Sequence, residues 1–114
     1  YSEEKMFRVR RICKPNNRAD TWKLAGLLKR ICAAYEAKGR NPATIYMSGF
    51  ATPGDEITVC AEWDQESIES NPRAKVPEII INKYAGELSA LARSNEVEFH
   101  EIATDEKLRQ WGES

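Results

Sequence analysis

The segment NEVEFHEIAT, residues 95–104, holds the chain's one histidine, His100, two residues after Glu98. Residues two apart on an extended chain point to the same face, so the carboxylate can orient the imidazole or raise its basicity. An unperturbed imidazole titrates at about pH 6.5, which makes it a usable general base near neutrality. Arg8 and Arg10 repeat that spacing in MFRVRRIC, residues 6–13. A guanidinium there can bind a carboxylate or offset the charge of an enolate or phenolate. Tyr46 and Ser48 in ATIYMSGFA offer hydroxyl donors, and Cys60 and Glu62 in EITVCAEW take the same two-residue step. His100 and Glu98 are thus the candidate catalytic pair. Arg8, Arg10, Tyr46, Ser48, Cys60 and Glu62 are candidate substrate-binding residues.

The same residues have a plain structural reading. Glu98 and Glu62 can pair with Arg8 and Arg10 in a cross-strand ladder worth about 0.2–1 kcal/mol a pair, with His100 as polar filler. Cys60 has no acid–base partner beside it in sequence, which leaves little support for a nucleophilic role. A single histidine among scattered glutamates does not bring three metal ligands together by spacing, so neither a metal site nor a cofactor is expected.

Placing these side chains on one surface requires particular elements. MFRVRRIC alternates, with Phe7, Val9 and Cys13 against Met6, Arg8, Arg10 and Ile12, and predicts a strand ending at KPNN. A helix follows, with Asn17 as its N-cap and Asp20 three residues on. Leu24, Leu27, Leu28, Ile31 and Tyr35 form its apolar stripe, and Gly39 and Pro42 end it. ATIYMSGFA (43–51) and EITVCAEW (56–63) alternate on either side of the turn TPGDE and predict a hairpin. DQESIESNPRAK reads as a polar loop. A second helix is predicted from Pro77 to about Ser94, with Ile80, Tyr84, Leu88 and Leu91 as its stripe. NEVEFHEI is the last strand, and the tail TDEKLRQWGES is polar except for Leu108 and Trp111.

The order β-α-β-β-α-β predicts an α+β, ferredoxin-like fold: a four-stranded antiparallel sheet with two helices on one face. The fourth strand should lie beside the first, the first beside the third, and the third beside the second. Phe7, Val9, Ile45, Met47, Ile57, Val59, Ala61, Val97 and Phe99 should then face the helices. A one-residue slip would exchange every face. The opposite face collects all the candidate site residues together with Ile12, Phe50, Thr58 and Ile102. It is apolar enough in places to mark an interface. Trp22 and Trp63 read as packing anchors, Trp111 as an anchor of the tail on a partner, and Cys13 and Cys32 as small core fillers.

A chain of 114 residues fits one domain, here 1–114 with a core over 6–103 and a polar tail over 104–114. A formal net charge of −1 supplies no cationic field for nucleic acid or an anionic membrane. No apolar run reaches the roughly 20 residues of a membrane span. The start, YSEEKMFRVRR, lacks the apolar centre of a signal peptide. Three widely spaced cysteines suit a reducing compartment, so a cytoplasmic protein is expected.

The element order, the helix entry KPNNRADTWKLAGLLKRI and the segment VCAEWDQES resemble the dimeric α/β-barrel superfamily. That superfamily includes the NIPSNAP and antibiotic-biosynthesis-monooxygenase-like proteins. The likeness spans residues 6 to 103 and rests on pattern and topology. It implies a homodimer packed sheet against sheet, with a small-molecule ligand between sheet and helices or between subunits. Members include cofactor-free oxygenases of aromatic substrates, dehydratases, isomerases and haem-degrading enzymes. The haem-degrading members hold porphyrin with an Asn, a Trp and a His. This chain matches the Trp at Trp63, has Arg8 and Arg10 on the first strand, and carries its histidine on the last. The resemblance therefore implies an unspecified small-molecule pocket. Two functions follow: a cofactor-independent monooxygenase or isomerase acting on an anionic or aromatic substrate, or a non-catalytic dimeric binding module.

Overall fold

Strand β1, Phe7–Pro15, alternates except at Arg11, which shares the helix side with Val9 and Cys13, and its position in the sheet uses both faces. It is hydrogen-bonded on both sides in the computed structural model, which describes residues 6–49, 51, 56–66 and 76–113. On one side it runs antiparallel to β3, Thr58–Gln65, with Val9 opposite Trp63 and Arg10 opposite Glu62. On the other it runs antiparallel to β4, Ala92–Glu101, with Arg8 opposite His100 and Arg10 opposite Glu98. Strand β2, Thr44–Ser48, completes the order β2-β3-β1-β4 expected for the ferredoxin-like topology.

Helix α1, Thr21–Glu36, lies over β3 and β2. Leu24, Leu27, Leu28 and Ile31 recur every three or four residues and pack on Cys13 and Val59. Beside them, Cys32 packs with Val9, Ala61 and Trp63. Burial pushes the Cys13 thiol up to about 11, so it stays protonated at neutral pH and acts as core filler. The second helical segment begins with a π-helical turn, Ile80–Tyr84, and continues as α2, Ala85–Leu91. Of three successive isoleucines only Ile80 is buried, and Ile79 and Ile81 face outward. No helix of the described residues is long and apolar enough to cross a membrane.

Several boundaries differ from the sequence expectation. Asn17 is extended and makes no side-chain cap; its carbonyl accepts from Asp20 N at 3.0 Å and starts a 3₁₀ turn, Arg18–Asp20. The α-helix begins one turn later, at Thr21. The second helix stops at Leu91, because β1 extends to Pro15 and pairs it with Ala92, drawing residues 92–94 into β4. Strand β3 likewise reaches Gln65, adding Asp64 to the open face. Ile57 precedes it. Phe50, most of the TPGDE turn and most of the predicted loop lie outside the described residues. The tail contains a third helix, α3, Asp105–Gln110, whose first turn is capped by the Thr104 hydroxyl accepting from Lys107 N at 3.1 Å.

Val97 and Phe99 lie on the helix side, opposite Arg11 and Val9, yet remain 39% and 37% exposed. Helix α2 has seven residues, about 10 Å of rise, and covers only the start of a ten-residue strand. Trp22 is likewise no packing anchor, at 68% exposed.

Two substitutions check this account. Leu27→Ala should cost about 2–5 kcal/mol in urea unfolding, since Leu27 is wholly buried at the centre of the helix–sheet contact. Gly49 has φ +84, and a Cβ there would run into the Glu56 carbonyl. Gly49→Ala should therefore cost about 2 kcal/mol or more by the same measurement.

Candidate functional site

Antiparallel register sets the open face of the sheet in cross-strand rows. One row is Asp64, Arg8 and His100; the next is Thr44, Glu62, Arg10 and Glu98; a third is Tyr46, Cys60, Ile12 and Glu96. The charged side chains form one connected chain across these rows. Arg8 Nε lies 2.9 Å from Asp64 Oδ1 and 3.5 Å from Glu62 Oε2. Arg10 Nε donates to Glu62 Oε1 at 3.2 Å, and its Nη1 lies 3.9 Å from Glu98 Oε1. The same Glu98 oxygen is 2.9 Å from His100 Nε2. Tyr46 donates its hydroxyl to Glu62 Oε1 at 2.7 Å.

Glu62 is the hub, and its environment acts on two protons. The Tyr46 hydroxyl, with Arg10 and Arg8, holds the Glu62 carboxyl below the usual carboxylate range against a smaller desolvation penalty. Burial and the bond to Glu62 push the Tyr46 hydroxyl up to about 12. Glu62 is therefore an anion and Tyr46 a neutral donor at neutral pH. Beside them Arg8, Pro42, Thr44, Tyr46, Glu62, Asp64 and one edge of Trp63 line an open pocket of about 350 Å³. That lies within the range of small-molecule sites, roughly 300–1,000 Å³.

The predicted residues do not all converge. Arg8, Tyr46 and Glu62 line the pocket, and His100 stands across β1 from Asp64 in the Arg8 row. Ser48 sits three two-residue steps from the Arg8 row, about 20 Å along the sheet and one step beyond Tyr46. It pairs instead with the Thr58 hydroxyl at 2.6 Å. Cys60 is only 5% exposed, with its Sγ 3.9 Å from Thr58 Oγ1. Asp64 was invisible as a site residue because its segment reads as loop; the DQ that extends the alternation of EITVCAEW is the one signal for it.

The far side of the sheet answers the question of porphyrin. Trp63 is 5% exposed among Val9, Cys32 and Ala61. Its indole Nε1 donates to Gln65 Oε1 at 2.9 Å. The Arg40 guanidinium lies 3.9 Å above its ring and 5.0 Å from that of Tyr35, with Nε and Nη2 buried and without hydrogen-bond partners. Stacking on two π faces stabilises that cation in place of hydrogen bonds. A tryptophan roofed in this way, with the histidine on the opposite face of the sheet, does not fit a haem site. Among the described residues no three His, Cys, Asp or Glu side chains cluster for a metal ion.

No protein-family model matches the sequence, and no curated protein does. Solved structures do. The chain is similar to a dimeric protein of unknown function and ferredoxin-like fold from Bacteroides fragilis, at 13% identity and TM-score 0.64 over 85% of this chain and 96% of that one. It is similar to SnoaB, a cofactor-independent oxygenase from Streptomyces nogalater, at 15% identity and TM-score 0.59 over 89% and 95% of the two chains. A NIPSNAP family protein from Agrobacterium tumefaciens matches at 18% identity and TM-score 0.59, over 88% and 94%. At such identities the likeness establishes architecture, and the architecture is ferredoxin-like.

Stability should show the ladder at both ends of the pH scale. Glu56, paired with Lys14 and Arg93, is held low as Glu62 is. Carboxyls depressed in the folded state stabilise above their unfolded value of about 4.3, and that stability is lost as pH falls through the folded value. Glu62→Gln should flatten the acid limb of a denaturation series. The raised Tyr46 hydroxyl stabilises below its unfolded value of about 10 and loses this between about 10 and about 12. Tyr46→Phe should remove that part of the alkaline limb, measured against wild type.

Proposed function

We propose that the chain works as a homodimer, sheet face against sheet face, that encloses a small-molecule site for an anionic or aromatic ligand. The observation carrying this reading is the uncovered sheet face itself. It sets the Tyr46, Cys60 and Ile12 row beside the charge chain, with no layer of the described residues above it. Similar solved proteins described as dimeric, and the shared topology, support the association. The pocket beside Arg8 and Tyr46 supplies a cation and a hydroxyl donor, the groups that suit an anionic oxygen on a flat ring. Three free thiols, all buried, accord with a cytoplasmic setting, and no nucleic-acid or membrane partner is proposed.

Within this site the chain acts as a cofactor-independent monooxygenase or isomerase. His100, positioned by Glu98, accepts a proton from a phenol, enol or activated carbon acid, and Arg8 offsets the negative charge left on the substrate. A second reading, a non-catalytic dimeric module, is favoured by the completeness of the ladder. Arg8 and Arg10 already face Asp64, Glu62 and Glu98, so a ligand must compete for them.

Sedimentation and native mass spectrometry test the proposal together. The wild type should sediment as a dimer, and Arg10→Glu should shift it towards monomer or release a co-purifying ligand. An unchanged mass and an unchanged melting temperature on ligand addition would remove the sheet face from consideration. His100→Ala should leave dimer and ligand binding intact while lowering turnover by about a hundredfold, the low end for a general base. Equal turnover in the two proteins would favour the non-catalytic module.

A further inference from the structure

The loop that follows α1 meets the end of β3 around a cavity of about 170 Å³, lined by Gly39, Arg40, Asn41, Gln65 and Glu66. Gly39, at φ +104, turns the chain out of the helix. Asn41 Nδ2 ties the two segments together by donating to Asp64 O at 2.7 Å. The cavity has about half the volume, roughly 300 Å³, at which drug-sized sites begin. At roughly 30 Å³ for each water-sized group, it takes a ligand of about six heavy atoms. Neither Arg40 nor Glu66 belongs to the charge chain of the sheet face.

Arg40 Nε and Nη2 are buried without hydrogen-bond partners. These two nitrogens share the edge of a guanidinium that grips a carboxylate with two parallel bonds. Arg8 uses the same edge within this chain, with Nε 2.9 Å from Asp64 Oδ1 and Nη2 3.5 Å from Oδ2. Trp63 and Tyr35 stabilise the Arg40 charge by stacking, but a ring offers no oxygen to either N–H. A buried donor left without an acceptor costs about 1–3 kcal/mol, and a carboxylate entering through the cavity removes that cost. The rest of the cavity has the opposite preference. Glu66 is in none of the ion pairs of the described residues. Helix α1 ends at Glu36, just before Gly39, and the partial negative charge of a helix C-terminus favours a cation.

We propose that this cavity binds a small zwitterion, an α-amino acid with little or no side chain. Its carboxylate takes the Nε–Nη2 edge of Arg40, and its ammonium lies between Glu66 and the C-terminal end of α1. Without ligand, Arg40 rests on Trp63 and Tyr35 with that edge shielded from water, and it turns the edge towards the cavity when the ligand enters. A simple anion satisfies half of the site and is opposed by Glu66, and the volume excludes larger amino acids. The site is independent of the sheet-face reading, because it needs no residue of the chain from Asp64 to His100.

The test is a titration of the full chain with glycine and, in parallel, with acetate, followed by calorimetry and by amide shifts in nuclear magnetic resonance. Glycine should bind saturably and about threefold more tightly than acetate, the scale of one exposed charge contact. Shifts are expected at Gly39, Asn41 and Glu66, and at the Trp63 indole N–H as Arg40 leaves its ring. Glu66→Gln should bring glycine down to the affinity of acetate. Arg40→Lys keeps the charge and removes the two-pronged edge, and should weaken both ligands about tenfold or more. Glu66 is exposed, so Glu66→Gln keeps the test decisive where Arg40→Lys loosens the packing on Trp63. Glycine that does not saturate, that binds no tighter than acetate, or that shifts only residues of the sheet face would overturn the proposal. So would equal glycine affinity in wild type and Glu66→Gln.

Discussion

The register of β1 is the constraint on which the rest depends. It is the one described strand flanked on both sides by long antiparallel partners, and its side chains alternate from Phe7 to Cys13 with Arg11 the one charged residue on the helix side. That alternation sends Val9 and Cys13 into the helix contact and Arg8, Arg10 and Ile12 to the other face. A slip of one residue would bury two guanidinium groups under α1, at a desolvation cost of several kcal/mol each. The hydrophobic core and the charge chain are therefore two consequences of one pairing. Neither can move without the other.

The charge chain is modest in energy and specific in geometry. Each exposed pair is worth roughly 0–1 kcal/mol, so the chain from Asp64 to His100 is not what holds the sheet together. Its effect is to orient: Glu62 accepts from both Tyr46 and Arg10 at one oxygen, leaving Tyr46 a fixed donor beside the pocket. His100 lies at the end of the same chain, so its orientation depends on Glu98 and, through Arg10, on Glu62. The histidine is best understood as one end of a polar chain crossing the sheet.

Coverage is uneven on the helix side for a simple reason of length. Helix α1 spans enough turns to seal β3 and most of the core, and Arg40 closes one end over Trp63 and Tyr35. Helix α2 is short, and the far half of β4 stays open at Val97 and Phe99. The edge at β2 stays open as well, where Trp22 and Lys29 of α1 stand beside Ile45 and Met47.

The sequence alone determined the element order, the sheet order and the two faces, because alternation at period two and recurrence at three to four are local signals that neighbouring residues carry themselves. It placed Arg8 and Arg10 on the strand next to Glu98 and His100; the register then set Arg8 opposite His100 and Arg10 opposite Glu98. Tertiary structure decided what depends on distant partners. Residues 92–94 became strand since β1 was long enough to pair with them, and Asp64 joined the face by the same extension. Trp22 became exposed because the core stripe of α1 is filled by leucines. Trp63 was closed off by an arginine whose position no periodicity encodes. Which side chains share a face is a matter of local period; which of them a solvent molecule or ligand can reach is set by the length and placement of the elements packed above.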